Sequence, residues 1–125
     1  MVRFKRLGKS FIYASRGLAK VFREEQNLSV QLLIGLLVII LAWLFHISPS
    51  EWGIILLTIA LVMVTEVINS AIEKISDVLK PRLDNYVKEI KDIMSAAVML
   101  ASLFAILVGL FILGPYAWSL FLCYN

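Results

Sequence analysis

Three long stretches almost without charge decide what this chain can become. Leu28 to Ile47 carries no charged residue, Trp52 to Ile72 carries one, Glu66, and Ile93 to Cys123 carries none. Each meets the roughly 20 residues that a helix needs to cross about 30 Å of hydrocarbon. In that medium the backbone must satisfy its own hydrogen bonds, which a helix does within one segment. The 125 residues are 61% hydrophobic and only 17% charged, a balance foreign to an ordinary soluble domain. The expected fold is an all-α membrane protein of one domain, 1–125. It has an amphipathic interfacial helix over 1–25 and transmembrane spans at 28–47, 52–72 and 93–114, the last ended by Gly114-Pro115.

The cations are one-sided. Arg3, Lys5, Arg6, Lys9, Arg16, Lys20 and Arg23 precede the first span, and Lys74, Lys80, Arg82, Lys88 and Lys91 follow the second. The turn His46 to Glu51 and the tail after Pro115 have none. The positive-inside rule places the N-terminus and the 73–92 connector in the cytoplasm, and the short turn and C-terminus outside. The first span is long for a signal-peptide core, and no small-residue cleavage site follows it. The net charge of +3 suits anionic headgroups rather than nucleic acid, because the basic residues flank membrane spans. Cys123 is the single cysteine and His46 the single histidine, so neither an intrachain disulfide nor a zinc site is expected.

Phe4, Leu7, Phe11, Leu18 and Phe22 recur at helical spacing within 2–23, with Lys and Arg filling much of the rest; such a helix lies in the membrane interface. Trp43 and Trp52 bracket the short turn as interfacial anchors, which makes His46 an exposed interface residue. Lys80-Pro81 marks a break in the connector, after which Tyr86 to Ile93 restarts a helix that flows into the third span. Ala97, Ala101, Ala105 and Gly109 form a small-residue packing stripe there.

The polar residues inside and beyond the second span carry the chemistry. Glu66, Asn69, Glu73 and Asp77 stand at i, i+3, i+7 and i+11, within an arc of about 80° on a helix. A carboxyl group inside a membrane span is expensive, and by default it marks a functional site. Glu66 lies about 9 Å inside the cytoplasmic end of its span, and Asp77 about 16 Å further along the axis. A carboxylate at headgroup depth suits a general base acting on a lipid hydroxyl. Glu73, nearer water, suits a hard cation such as Mg²⁺ that bridges to phosphate, and Asn69 can orient either group. On the same side, Glu24-Glu25 begin the first span, as complements to its dipole or as a metal ligand. Lys91-Asp92 stand before the third span, with Ser95 one turn on. No glycine-rich phosphate loop is present, so a nucleotide would be held by cations. Phosphoryl transfer is mostly positioning and charge neutralisation, which such a set can supply.

The run Glu66-Val-Ile-Asn69-Ser-Ala-Ile-Glu73 with Asp77, followed by Lys91-Asp92 and Ser95-Ala-Ala-Val98, resembles the small prokaryotic integral-membrane lipid kinases, the diacylglycerol kinase and undecaprenol kinase family. The likeness covers essentially the whole chain. It implies a bacterial cytoplasmic-membrane homotrimer, with active sites shared between subunits, that moves the γ-phosphate of Mg-ATP onto a lipid alcohol. It implies Glu66 as catalytic base, Asn69 in the active site, Glu25 and Glu73 as metal ligands, and Lys91 and Asp92 at the nucleotide phosphates. Arg6 and Tyr13 match family positions near the nucleotide, and Ser95 one near the lipid. The catalytic stripe does not separate the two substrates. The segment Ser50-Glu51-Trp52 resembles the undecaprenol branch, so undecaprenol is expected ahead of diacylglycerol.

Two other classes compete with a kinase. A small proton-coupled transporter would use Glu66 as its binding carboxylate, but such residues favour the midplane of chains with internal repeats, and no repeat is visible here. A non-catalytic assembly subunit would use the stripe as interhelical polar glue.

Overall fold

The computed structural model describes residues 4–79 and 84–124. They form four helices: α1 (Phe4–Glu24), α2 (Gln26–Leu44), α3 (Pro49–Leu79) and α4 (Asp84–Tyr124). The last three are each long and apolar enough to cross a membrane. The expected all-α architecture, with an amphipathic first helix and three spans, is what forms. The break expected at Lys80-Pro81 lies outside the described residues.

α1 ends where Glu25 turns extended, at φ −108° and ψ 106°, and α2 starts on the next residue. No residue of α1 is buried. Its aromatic face is bare at Phe4 and Phe11 and half-buried at Phe22, as expected of a helix that lies mostly on lipid instead of protein. At the far end of α2 the chain reverses within residues 45–48. His46 takes the left-handed conformation there, φ 52°. Its Nδ1 meets the Leu44 carbonyl at 3.0 Å.

The sequence Ser48-Pro49-Ser50-Glu51 sets the start of α3. Pro49 takes the first helical position, where its missing N–H costs nothing. Ser48 and Glu51 cap each other. The Ser48 backbone N–H and hydroxyl both donate to Glu51 Oε2 at 2.7 Å, and the Glu51 N–H reaches Ser48 Oγ at 3.4 Å. This is a capping box. It is also tied to α4, because the Tyr116 hydroxyl donates to the same Glu51 oxygen at 2.9 Å. Tyr116 stacks on Phe45 at 6.2 Å. The tightest packing lies nearby: Ala42, Ile47 and Ile55 are buried, with Trp52, Val108 and Ile112 against them.

One expectation is corrected. Gly114-Pro115 does not end the last helix, which runs 41 residues with Pro115 inside it. Proline forfeits its own bond to the Phe111 carbonyl, whereas stopping there would free a whole turn of carbonyls in an apolar medium. Continuing is the smaller loss.

Few residues are fully buried, and none in the apolar window of α4. Most large apolar side chains face outward, as they do where lipid or neighbouring helices replace water. Inside the bundle one contact is already at its limit. Gly35 is buried on α2, and a Cβ built there would lie 3.1 Å from Ile59 Cγ2 on α3. Gly35→Val should therefore cost about 1–3 kcal/mol through overpacking. A lowered unfolding temperature in detergent would show it.

Candidate active site

The acidic stripe falls on the single helix α3, and its exposure is graded. Glu66 is 1% exposed. The side chains of Glu73 and Asp77 are 46% and 60% exposed. The gradient follows from position: Glu66 lies where α2 still covers α3, and Asp77 lies two residues from the end of α3. α2 reaches Glu66 through one polar side chain, the Gln31 Nε2 donating to Oε2 at 3.3 Å. One turn on, the Ser70 hydroxyl bonds the Glu66 backbone carbonyl at 3.0 Å, so this buried serine asks nothing of the carboxyl group.

α4 supplies the opposing cation. Lys91 Nζ stands 2.6 Å from Asp77 Oδ1 and 3.7 Å from Glu73 Oε1. Asp77, the outermost member of the stripe, therefore holds the lysine. Between the two helices is a small cavity of about 110 Å³, lined by Asn69, Ile72, Glu73, Lys91, Met94 and Ser95. Four of the residues singled out in the sequence meet at its walls, two from each helix. Helical spacing explains the set: Asn69 and Glu73 are one turn apart on α3, and Lys91 and Ser95 one turn apart on α4.

The remaining candidates do not line this cavity. Asp92 is exposed beside Lys91. Arg6 and Tyr13 are exposed on α1. Glu25 occupies the cap position of α2 but makes no side-chain capping bond. The acid that ties α1 down is its neighbour, Glu24, which pairs with Lys74 of α3. The bond from that ammonium holds the Glu24 carboxyl below the usual carboxylate range. Glu25 and Glu73 are both within electrostatic reach of the same Lys74 ammonium.

Carboxylate oxygens are the donor chemistry that Mg²⁺ takes when phosphate oxygens and water complete its shell, and Glu25 and Glu73 each supply one carboxylate. Among the described residues no three His, Cys, Asp or Glu side chains gather as a closed metal site.

Sequence reasoning passed over Gln31. Its signal was slight: a single carboxamide within a mostly apolar span. Its partner is 35 residues away on another helix, beyond the reach of any periodicity.

Above this site, toward the 45–48 turn, α2, α3 and α4 line a second, half-open space of about 610 Å³. Its walls are almost wholly apolar, and Gln31 is the first residue of α2 to line it.

Comparison with known proteins gives concordant results. Residues 12–113 match the family model for prokaryotic diacylglycerol kinase. The chain is 34% identical to a diacylglycerol kinase of Helicobacter pylori, over 90% of this chain and 89% of that protein. It is 32% identical to an undecaprenol kinase of Bacillus subtilis, over 88% and 89% respectively. A diacylglycerol kinase of Escherichia coli is 27% identical over 94% and 93%. No solved structure gives a significant match.

Proposed function

The chain belongs to the prokaryotic diacylglycerol kinase family, and on that premise we propose how its residues divide the work of an ATP-dependent lipid kinase. The observation that carries the reading is the graded stripe: a buried carboxyl at one end and a polar, cation-lined cavity at the other.

Glu66 is the general base. The lipid alcohol lies with its chain in the membrane and its hydroxyl at Glu66. As the hydroxyl oxygen bonds the γ-phosphorus of ATP, its proton passes to the Glu66 carboxylate, and the bond from that phosphorus to the bridging oxygen breaks to release ADP. Lys91 neutralises the phosphate oxygens as charge shifts onto the leaving group. Asp77 and Glu73 hold that ammonium at the cavity wall. Asn69 orients the reacting groups, and Ser95 lies beside the lipid. Mg²⁺ would be held by Glu25 and Glu73 and would screen the phosphate charge. Asp92 supports the nucleotide beside Lys91.

Arg6 and Tyr13 belong to the nucleotide site of a neighbouring subunit in a homotrimer, which accounts for their exposure within one chain. The outward apolar faces of α2 to α4 supply the surface for such an assembly. The cationic segments put the N-terminus and the site in the cytoplasm, where ATP is, and the C-terminus outside.

Undecaprenol is the preferred lipid, on the likeness of Ser50-Glu51-Trp52 to that branch. A competition assay checks it: radiolabelled ATP, Mg²⁺ and equal amounts of undecaprenol and diacylglycerol in one mixed micelle. Label should appear mainly in undecaprenyl phosphate. Label mainly in phosphatidic acid would reverse the assignment.

A further inference from the structure

Gln31 makes the one side-chain hydrogen bond to the Glu66 carboxyl from another helix among the described residues, and only half of its amide is used. Its Nε2 donates to Glu66 Oε2 at 3.3 Å. Its Oε1 is buried and has no hydrogen-bond partner. Buried amide oxygens are nearly always paired, so one left bare beside an acid asks for an explanation. The same side chain lines the apolar cavity of about 610 Å³, and Glu66 does not. Gln31 therefore stands between the carboxyl group and the space that a hydrocarbon chain can enter.

A carboxamide offers what an acid changing its protonation state requires. Its NH₂ donates to a carboxylate, and its carbonyl accepts from a carboxylic acid. Rotation about the last side-chain bond exchanges the two, with no change in net charge.

We propose that Gln31 is the positioning residue of the Glu66 base, holding the carboxylate through Nε2 and, after half a turn of the amide, accepting a hydrogen bond on Oε1 from the protonated acid. This rests on the reading of Glu66 as general base. The proton balance is that of the transfer step: the lipid hydroxyl loses it, Glu66 gains it, and Gln31 binds the acid before and after without taking it.

Two substitutions test the idea, with turnover, KM for ATP and thermal unfolding read on each purified protein in the same lipid. Gln31→Met keeps the length and apolar fit and removes both hydrogen-bonding atoms. It should lower kcat by about 10–100-fold, the scale for losing a partner that orients a functional group. KM for ATP should stay within about twofold, since the nucleotide is held by other residues. Its unfolding temperature should stay near that of the wild type, because loss of the unpaired buried oxygen offsets loss of the bond to Glu66. Gln31→His restores an N–H donor in a different shape and should recover much of the lost kcat. Wild-type turnover in Gln31→Met overturns the proposal. So does an equal loss in both variants, which would show that only packing counts. Glu66→Gln, measured alongside, separates the two readings. If it is inactive while Gln31→Met is normal, only the role of Gln31 fails; if it turns over normally, the base assignment fails.

Discussion

Glu66→Gln is expected to lower the turnover of lipid phosphorylation by about 10²–10⁴-fold, the range for loss of a general base. The loss should be chemical, with the fold intact. A glutamine at this position keeps the volume of the acid, and its carbonyl oxygen can still accept from Gln31 Nε2, the bond that now ties α2 to α3. It also puts a neutral group where the acid is 1% exposed, so burial works in its favour. The check pairs turnover with thermal unfolding: activity should collapse while unfolding temperature holds or rises. An active Glu66→Gln protein would remove Glu66 from the proton transfer.

The second large effect is expected from Lys91→Met. Losing one preorganised donor to developing phosphate charge costs about 10²–10³-fold, and the fall should appear in kcat/KM for ATP. KM for the lipid should be little changed, because Lys91 stands at the wet end of the stripe. The local charges give the substitution a second signature. Lys91 now sits 3.7 Å from Glu73 and 2.6 Å from Asp77. Without it the two carboxylates face each other unscreened, and Glu73 should attract a divalent cation more strongly. Half-saturation by Mg²⁺ should therefore move to lower concentration even as turnover falls. Unchanged kcat/KM for ATP would place Lys91 outside the nucleotide site.

The sequence shows the spans plainly, because a membrane leaves composition little freedom: an uncharged run of sufficient length has few uses other than crossing. The acidic stripe is equally visible, since all its members belong to one helix and obey one periodicity. What crosses between helices is hidden. Nothing in the spacing of Asp77 says that it holds Lys91, and nothing in the spacing of Gln31 says that it meets Glu66. These pairings depend on how far α3 and α4, or α2 and α3, slide past each other, and sequence periodicity carries no information on that. Pro115 misleads for a different reason. The rule that proline stops a helix is learned where water can receive the freed carbonyls, and a lipid-facing segment has no water to offer.

The unbroken length of α4 has a mechanical consequence. At 1.5 Å per residue its 41 residues reach about 60 Å, twice the hydrocarbon thickness. Between Asp84 and Gly114 it contains no proline, so this part would tilt as one stiff rod. Lys91 rides near the end of this rod, and Glu73 near the end of the partner rod α3. A thinner bilayer tilts both, a thicker one straightens them, and the gap between their tips changes more than anything near the pivot. The distance at which the ammonium meets the carboxylates is therefore expected to follow membrane thickness, and turnover read in bilayers of graded acyl-chain length checks it.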